Sequence, residues 1–207
     1  IRNTLRWLLG NLDGFTEDET VPYAELPELE RWLLHRLTEL DAKIRRAVET
    51  HDWTGVYPEI HQFCATDLSA FYFDIRKDAL YCDAADSLRR RAARSVLDLL
   101  FHRLTTWLAP VLVFTMEDVW LSRFPQAGTS VHLLDLPETP SAWLNPELAA
   151  KWEGIRAVRR VVNGALEVQR SAKVIGAIVD GTNELCREGL DVARVLFPIL
   201  RVVVTSD

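Results

Sequence analysis

The sequence has few cysteines, no long apolar run and no excess of positive charge, and each absence excludes a class of protein. Its 207 residues contain three cysteines, an odd number without a CxxC pair, so they predict neither a disulfide framework nor a zinc site. The longest apolar stretches, such as residues 108–114, are far shorter than the roughly 20 residues of a membrane-spanning helix. No basic segment followed by a cleavage site opens the chain, so we expect neither a spanning nor a secreted protein.

The net charge of −6 argues against indiscriminate nucleic-acid binding, but the charge is unevenly distributed. Residues 11–30 hold seven acidic side chains and no basic one, whereas residues 151–173 hold six basic and two acidic side chains. An acidic protein with local basic faces can hold a phosphate backbone on those faces and repel it elsewhere. The charge pattern therefore leaves selective nucleic-acid binding open.

Apolar residues recur every three or four positions through most of the chain, which predicts a mainly α fold. We predict a helical bundle over residues 1–126, with Phe71 and Trp120 on its buried faces. Prolines and a glycine then predict a linker over residues 127–145, with at most one short strand at residues 131–134. The third segment, residues 146–207, should hold a basic helix and, from its short β-branched runs, a small C-terminal α/β subdomain.

No recognised catalytic motif occurs in the sequence. P-loop, GxGxxG, GxSxG and HExxH strings are all absent, and the five histidines are scattered over separate predicted elements. We therefore predict no catalytic residue and no metal site, and we interpret the chain as a binding module. The sequence pattern alone would also permit a helical scaffold for protein interactions that has no RNA partner.

Three strings together resemble one family. They are IRNTLRWLLGNL at residues 1–12, LSAFYFDIRKDALYCD at residues 68–83 and LAPVLVFTMEDVW at residues 108–120. In this order they resemble the anticodon-binding region of bacterial-type isoleucyl-tRNA synthetases, which are class I aminoacyl-tRNA synthetases. The resemblance covers about residues 1–175. The middle string favours an isoleucine enzyme, and a valyl-tRNA synthetase fragment is the nearest alternative.

The resemblance implies a parent ligase that joins isoleucine to tRNA(Ile) with ATP and that carries its catalytic and editing domains elsewhere in the same chain. It implies no cofactor in this fragment, ATP and Mg²⁺ in the parent's catalytic domain, and it allows a zinc ion elsewhere in the parent. A monomeric, cytoplasmic enzyme without a membrane partner is expected. The role implied for the fragment is recognition of the tRNA anticodon stem-loop.

The candidate RNA-binding residues are basic or amide side chains on faces away from the apolar stripes. Such groups contact phosphates and base edges, whereas exposed aromatics stack on bases. In the middle string, Phe73 and its basic neighbours are expected on an outward face, and Trp7 is expected in the core. Arg89, Arg90, Arg91 and Arg94 are a further basic cluster that either meets RNA or forms a solvated face. The predicted set is Asn3, Arg6, Arg76, Lys77, Arg156, Arg159, Arg160, Arg170 and Lys173.

Overall fold

Helices dominate the computed structural model, which describes residues 1–126, 128–171 and 173, without the side chains of residues 165, 166 and 168–170. No strand occurs in this described part. The mainly α prediction is therefore confirmed, while the predicted α/β subdomain beyond the basic helix lies outside the described residues. The α-helices are α1 (Arg2–Asn11), α2 (Glu28–Thr50), α3 (Val56–Gln62), α4 (Phe73–Cys82), α5 (Leu88–Leu108), α6 (Val113–Arg123) and α7 (Pro146–Ser171).

A ten-residue π-helix, Phe63–Tyr72, joins α3 to α4, so that one helical rod runs from residue 56 to residue 82. The wider turn is visible in a side-chain bond, since the Ser69 hydroxyl donates to the Cys64 carbonyl five residues earlier at 2.8 Å. The backbone stays hydrogen-bonded through this segment, and Asp67 is buried against α2.

Ion pairs between α2 and this rod show that the two elements are antiparallel. Lys43 near the end of α2 pairs with Glu59 near the start of the rod, whereas Glu30 at the start of α2 pairs with Arg76 near the end of the rod. The apolar stripe of α2 lies between them, with Leu33, Leu37 and Ile44 fully buried. The periodicity in the sequence thus placed the core of these helices correctly.

Helix α5 runs back through the centre of the bundle and contacts α1, α2, α4 and α6. It begins where the Ser87 hydroxyl accepts a hydrogen bond from the Arg90 amide at 3.2 Å, which caps its first turn. Phe101 and Trp107 on α5 are fully buried. Phe71 and Trp120 are buried as well, at 5% and 7% exposure, which confirms both predicted core positions.

The segment predicted as a linker belongs to the first unit of the chain, Ile1–Pro146, and packs against α2 and α5 within it. Arg45 donates to the Pro137 carbonyl at 2.6 Å, and Arg103 donates to the Glu138 carbonyl at 2.6 Å. No strand forms at residues 131–134, where the sequence allowed at most one, because Val131–Leu133 forms a 3₁₀ turn held by Glu117 of α6. In the described part of the chain, an extended segment at this position would have no neighbouring strand with which its backbone groups could form hydrogen bonds.

The second unit begins at Glu147, and its described part consists of α7 and Lys173. Helix α7 has a mixed surface with exposed basic side chains among alanines and valines. None of the described helices combines the length and the apolar composition that crossing a bilayer requires.

Candidate nucleic-acid interface

A groove of about 460 Å³ lies between α1 and the last turn of α4. Five of its six lining residues are Asn3, Arg6, Trp7, Gly10 and Asn11 of α1, and the sixth is a residue of α4, Tyr81. The spacing of the α1 residues is that of one helical face, opposite the face that buries its leucines. The structure therefore brings the predicted residues Asn3 and Arg6 together in a concave surface.

Two of the residues that line the groove, Trp7 and Tyr81, are aromatic. The Trp7 indole stacks on the Phe73 ring with centroids 3.8 Å apart and planes 15° from parallel. Trp7 is half-buried rather than part of the core, and Phe73, expected on an outward face, is 5% exposed. Tyr81 is 65% exposed, so its ring is free to stack on a ligand.

The polar groups of the groove are amides and one guanidinium. The Asn11 side-chain amide donates to the Trp7 carbonyl at 2.9 Å, which fixes the orientation of that amide. None of the six lining residues is acidic, and Gly10 leaves open space where a side chain would otherwise stand. The groove therefore offers hydrogen-bond donors beside aromatic rings, without a carboxylate to repel phosphate.

A buried polar network lies next to the Trp7–Phe73 stack. Arg76 donates to both carboxylate oxygens of Glu30, at 2.5 and 2.6 Å, and the Tyr72 hydroxyl donates to the same carboxylate at 3.1 Å. Burial, together with the Glu30 charge, raises the pKa of Tyr72 well above its ordinary value, so the hydroxyl remains a donor at neutral pH. Glu30 is fully buried, and this network fixes the position of the rod beneath the groove.

The other predicted RNA-binding residues of the bundle have protein partners. The Arg76 side chain is 11% exposed and its guanidinium is held by Glu30, an arrangement that does not favour a phosphate contact. Lys77 forms a 3.1 Å ion pair with Asp74 on the exposed side of α4, and such surface pairs are weak. RNA contact by Arg76 and Lys77 stays a prediction.

The predicted residues of the second unit lie along α7 and just beyond it. Arg156 and Arg159 are half-exposed, and Arg160 is exposed. Lys173 is exposed and has a left-handed backbone, with φ of 57°. The side chain of Arg170 is not among those that the structure describes. The basic face of α7 is thus present on the surface, and its binding to RNA remains a prediction.

The arginine cluster at the start of α5 binds protein groups. Arg89 pairs with Asp83 at 2.6 Å, an interaction that lowers the pKa of the Asp83 carboxyl. Arg94 donates to the Asp13 carbonyl at 2.8 Å and pairs with Glu19 at 2.9 Å. Arg91 of the same helix donates hydrogen bonds to the backbone carbonyls of Asp18 and Glu19 in that acidic segment. The cluster therefore anchors the acidic segment after α1 to the bundle.

Sequence reasoning missed Trp7 as a groove residue, together with Gly10 and Tyr81. Tyr81 carried a usable signal, because it lies off the apolar stripe of its helix, where a large aromatic side chain has no core to fill. The other residues that line the groove are 70 to 78 residues earlier in the chain. Only the packing of α1 against α4 connects these residues.

Among known proteins, this chain is similar to isoleucine–tRNA ligases. The chain is 58% identical over 182 residues to an isoleucine–tRNA ligase of Gluconobacter oxydans and 59% identical over 181 residues to one of Ruegeria pomeroyi, covering 88% and 87% of this chain. It is 50% identical to an isoleucine–tRNA ligase of Brucella abortus over an alignment of 204 residues that covers 94% of this chain. The chain spans about a fifth of the length of these relatives, 19%, 19% and 21%.

A family model described as the anticodon-binding domain of tRNA ligase matches residues 30–193, which is most of the chain. The match runs from the first turn of α2 through α7 and therefore includes most of the bundle described above. The chain belongs to the family of anticodon-binding domains of tRNA ligases.

Proposed function

We propose that this chain is the part of an isoleucine–tRNA ligase that recognises the anticodon stem-loop of tRNA(Ile), and that the groove between α1 and α4 receives an unpaired base of the loop. The observation that carries the proposal is the composition of the groove. An exposed tyrosine stands beside a stacked tryptophan, two asparagines and an arginine, with no acidic side chain in the lining.

These groups match the way in which proteins read RNA loops. Unpaired bases stack on aromatic side chains and hydrogen-bond through their edges, while phosphate contacts fix the register. Tyr81 would supply the stacking surface, and Asn3 and Arg6 would supply donors to a base edge or to the adjacent phosphate. The volume of about 460 Å³ suits one nucleotide rather than a duplex.

The ligase reaction itself belongs to segments outside this chain. Joining isoleucine to tRNA at the expense of ATP requires an activation site, and ATP and Mg²⁺ would bind in the catalytic domain of the full-length protein. A zinc ion would likewise bind outside this chain. We also propose that the full-length enzyme is a cytoplasmic monomer. The valyl fragment and the scaffold without RNA receive no support from the relatives named above.

Substitutions at Gly10 and Tyr81 of the full-length ligase test the groove directly. Gly10→Leu fills the open space without touching the core, so it should keep the melting temperature and weaken tRNA(Ile) binding. Gly10→Ala is the matched control, because it adds one carbon that meets no atom within 4 Å. Tyr81→Ala should weaken binding about 5- to 150-fold, the range of one lost stacking interaction of about 1–3 kcal/mol, whereas Tyr81→Phe keeps the ring and the affinity.

Binding should be measured by titrating stem-loops with the isoleucine anticodon and with a mismatched anticodon. Asn3→Ala and Arg6→Ala should reduce the preference for the matched loop, since a lost base-edge contact costs on the order of 1–3 kcal/mol of discrimination by analogy with DNA base pairs. Unchanged affinity in both Gly10→Leu and Tyr81→Ala would show that the RNA binds to another surface.

A further inference from the structure

A second surface, at the start of α6, is apolar and has no partner in the described part of the chain. We call it the Phe114 surface, and it consists of Val111, Val113, Phe114 and Leu133. Phe114 is 87% exposed and Leu133 is 78% exposed, while the two valines are nearly half-exposed. These side chains come from the α5–α6 loop, the first turn of α6 and the 3₁₀ turn at residues 131–133.

Buried contacts and hydrogen bonds hold the Phe114 surface in place. Met116, two residues after Phe114, is fully buried and anchors the first turn of α6. The His132 Nε2 lies 3.2 Å from the Val113 carbonyl oxygen, which places Leu133 beside that turn. Glu117 accepts hydrogen bonds from the Ser130 hydroxyl at 2.8 Å and the Val131 amide at 3.1 Å. The apolar side chains are therefore presented by a fixed backbone, as in a preformed docking surface.

The chemistry of the surface decides what class of partner fits it. Residues 109–116 contain no charged side chain, and the next two residues, Glu117 and Asp118, are acidic. The Phe114 surface offers no cation to an RNA backbone, and the neighbouring carboxylates would repel that backbone. The fitting partner is a protein surface with an apolar pocket that accepts the Phe114 ring.

The small area favours a partner that is already tethered to the chain. Four side chains expose on the order of a few hundred Å², whereas each partner in a stable dimer buries about 800 Å². A domain in the same polypeptide needs less contact area, because tethering gives it an effective concentration of about millimolar. The isoleucine–tRNA ligase relatives extend far beyond the region that this chain matches, which covers 19–21% of their length.

We infer that the Phe114 surface is the site at which another domain of the full-length ligase docks, with the Phe114 ring inserted into an apolar pocket of that domain. This inference rests on the proposed function, since it takes the chain to be one part of a ligase. It assigns the surface to contacts between domains, while the groove between α1 and α4 contacts RNA.

Alkylation of an introduced thiol in the full-length protein, without RNA, tests the inference. Val113→Cys and Leu133→Cys, which leave the Phe114 ring in place, are compared with Leu88→Cys, which replaces another exposed apolar residue, 49% exposed, at the start of α5. Docking should make Val113→Cys and Leu133→Cys react about tenfold or more slowly than Leu88→Cys, the protection given by a docking equilibrium of ~1.4 kcal/mol. The three variants should react equally after denaturation.

A photo-reactive benzoylphenylalanine at position 114 then identifies the occupant. The expected cross-linked peptide lies in the same polypeptide, outside these 207 residues. Rapid alkylation of both Val113→Cys and Leu133→Cys would overturn the inference. So would protection that appears only with added tRNA, protection that rises with protein concentration, or a cross-link within these 207 residues. Failure of the Tyr81 and Gly10 tests would remove RNA binding by the groove and leave this result unchanged.

Discussion

Replacing Glu30 with glutamine should destabilise the bundle strongly, because it leaves a nearly buried arginine without its counter-charge. The side chain keeps its size, but Arg76, 11% exposed, loses the carboxylate that binds it through two hydrogen bonds. Breaking one partner of a buried ion pair costs about 3–5 kcal/mol. For a chain of this size the melting temperature should fall by roughly 6–20 °C, taking about 2–4 °C per kcal/mol.

The assay is urea denaturation of the chain, followed by tryptophan fluorescence and by circular dichroism to test that unfolding is two-state. The matched control is Asp74→Asn, which removes the carboxylate of the exposed pair with Lys77. A pair of this kind contributes about 0–1 kcal/mol, so the control should unfold at almost the same urea concentration as the unsubstituted chain. The difference between the two variants isolates the effect of burial.

Removing all the charge from the network should restore most of the stability. Glu30→Leu with Arg76→Met replaces the ion pair by apolar groups, a change that is often neutral, but it leaves the buried Tyr72 hydroxyl without its acceptor, at about 1–3 kcal/mol. Adding Tyr72→Phe should recover that part. If the free energy of unfolding of Glu30→Gln lay within 1 kcal/mol of that of the unsubstituted chain, the pair would contribute no more than an exposed pair does, and this account of the network would be refuted.

Four further predictions concern the Asp98 ion pairs, the core, the basic helix α7 and the reaction with ATP. Burial acts to raise the pKa of Asp98, but hydrogen bonds from its two basic partners lower it below the ordinary value. Asp98→Asn should therefore destabilise at neutral pH, with a difference that shrinks as the pH of the denaturation series falls below about 3.9. Phe71→Ala and Trp120→Ala should each cost about 3–5 kcal/mol, and unchanged denaturation midpoints would contradict their burial. Arg156→Ala with Arg160→Ala in the full-length ligase should weaken matched and mismatched stem-loops alike and reduce the salt dependence of binding, whereas an unchanged salt slope would indicate a solvated face. Because the sequence contains no recognised nucleotide-binding motif, the purified chain alone should not exchange pyrophosphate with ATP, and exchange free of host enzyme would contradict this prediction.

The sequence alone determined the mainly helical fold, much of its core and the family. Helical periodicity is a local property, set by 3.6 residues per turn, so Phe71 and Trp120 could be assigned to the core without any knowledge of their partners. The same reasoning placed Asn3 and Arg6 on one outward face of α1. It did not decide the segment at residues 131–134, where the sequence allowed a short strand and contacts with α6 produce a 3₁₀ turn.

Only the tertiary structure decided which outward residues act together. Arg76 reads as a surface cation in the sequence, yet the fold places it against Glu30, 46 residues earlier, and Arg94 against the acidic loop after α1. Tyr81 joins Asn3 and Arg6 in one groove because α1 packs beside the end of α4. Charge pairing and groove formation depend on distances between segments remote in the chain, and periodicity within one helix carries no information about those distances.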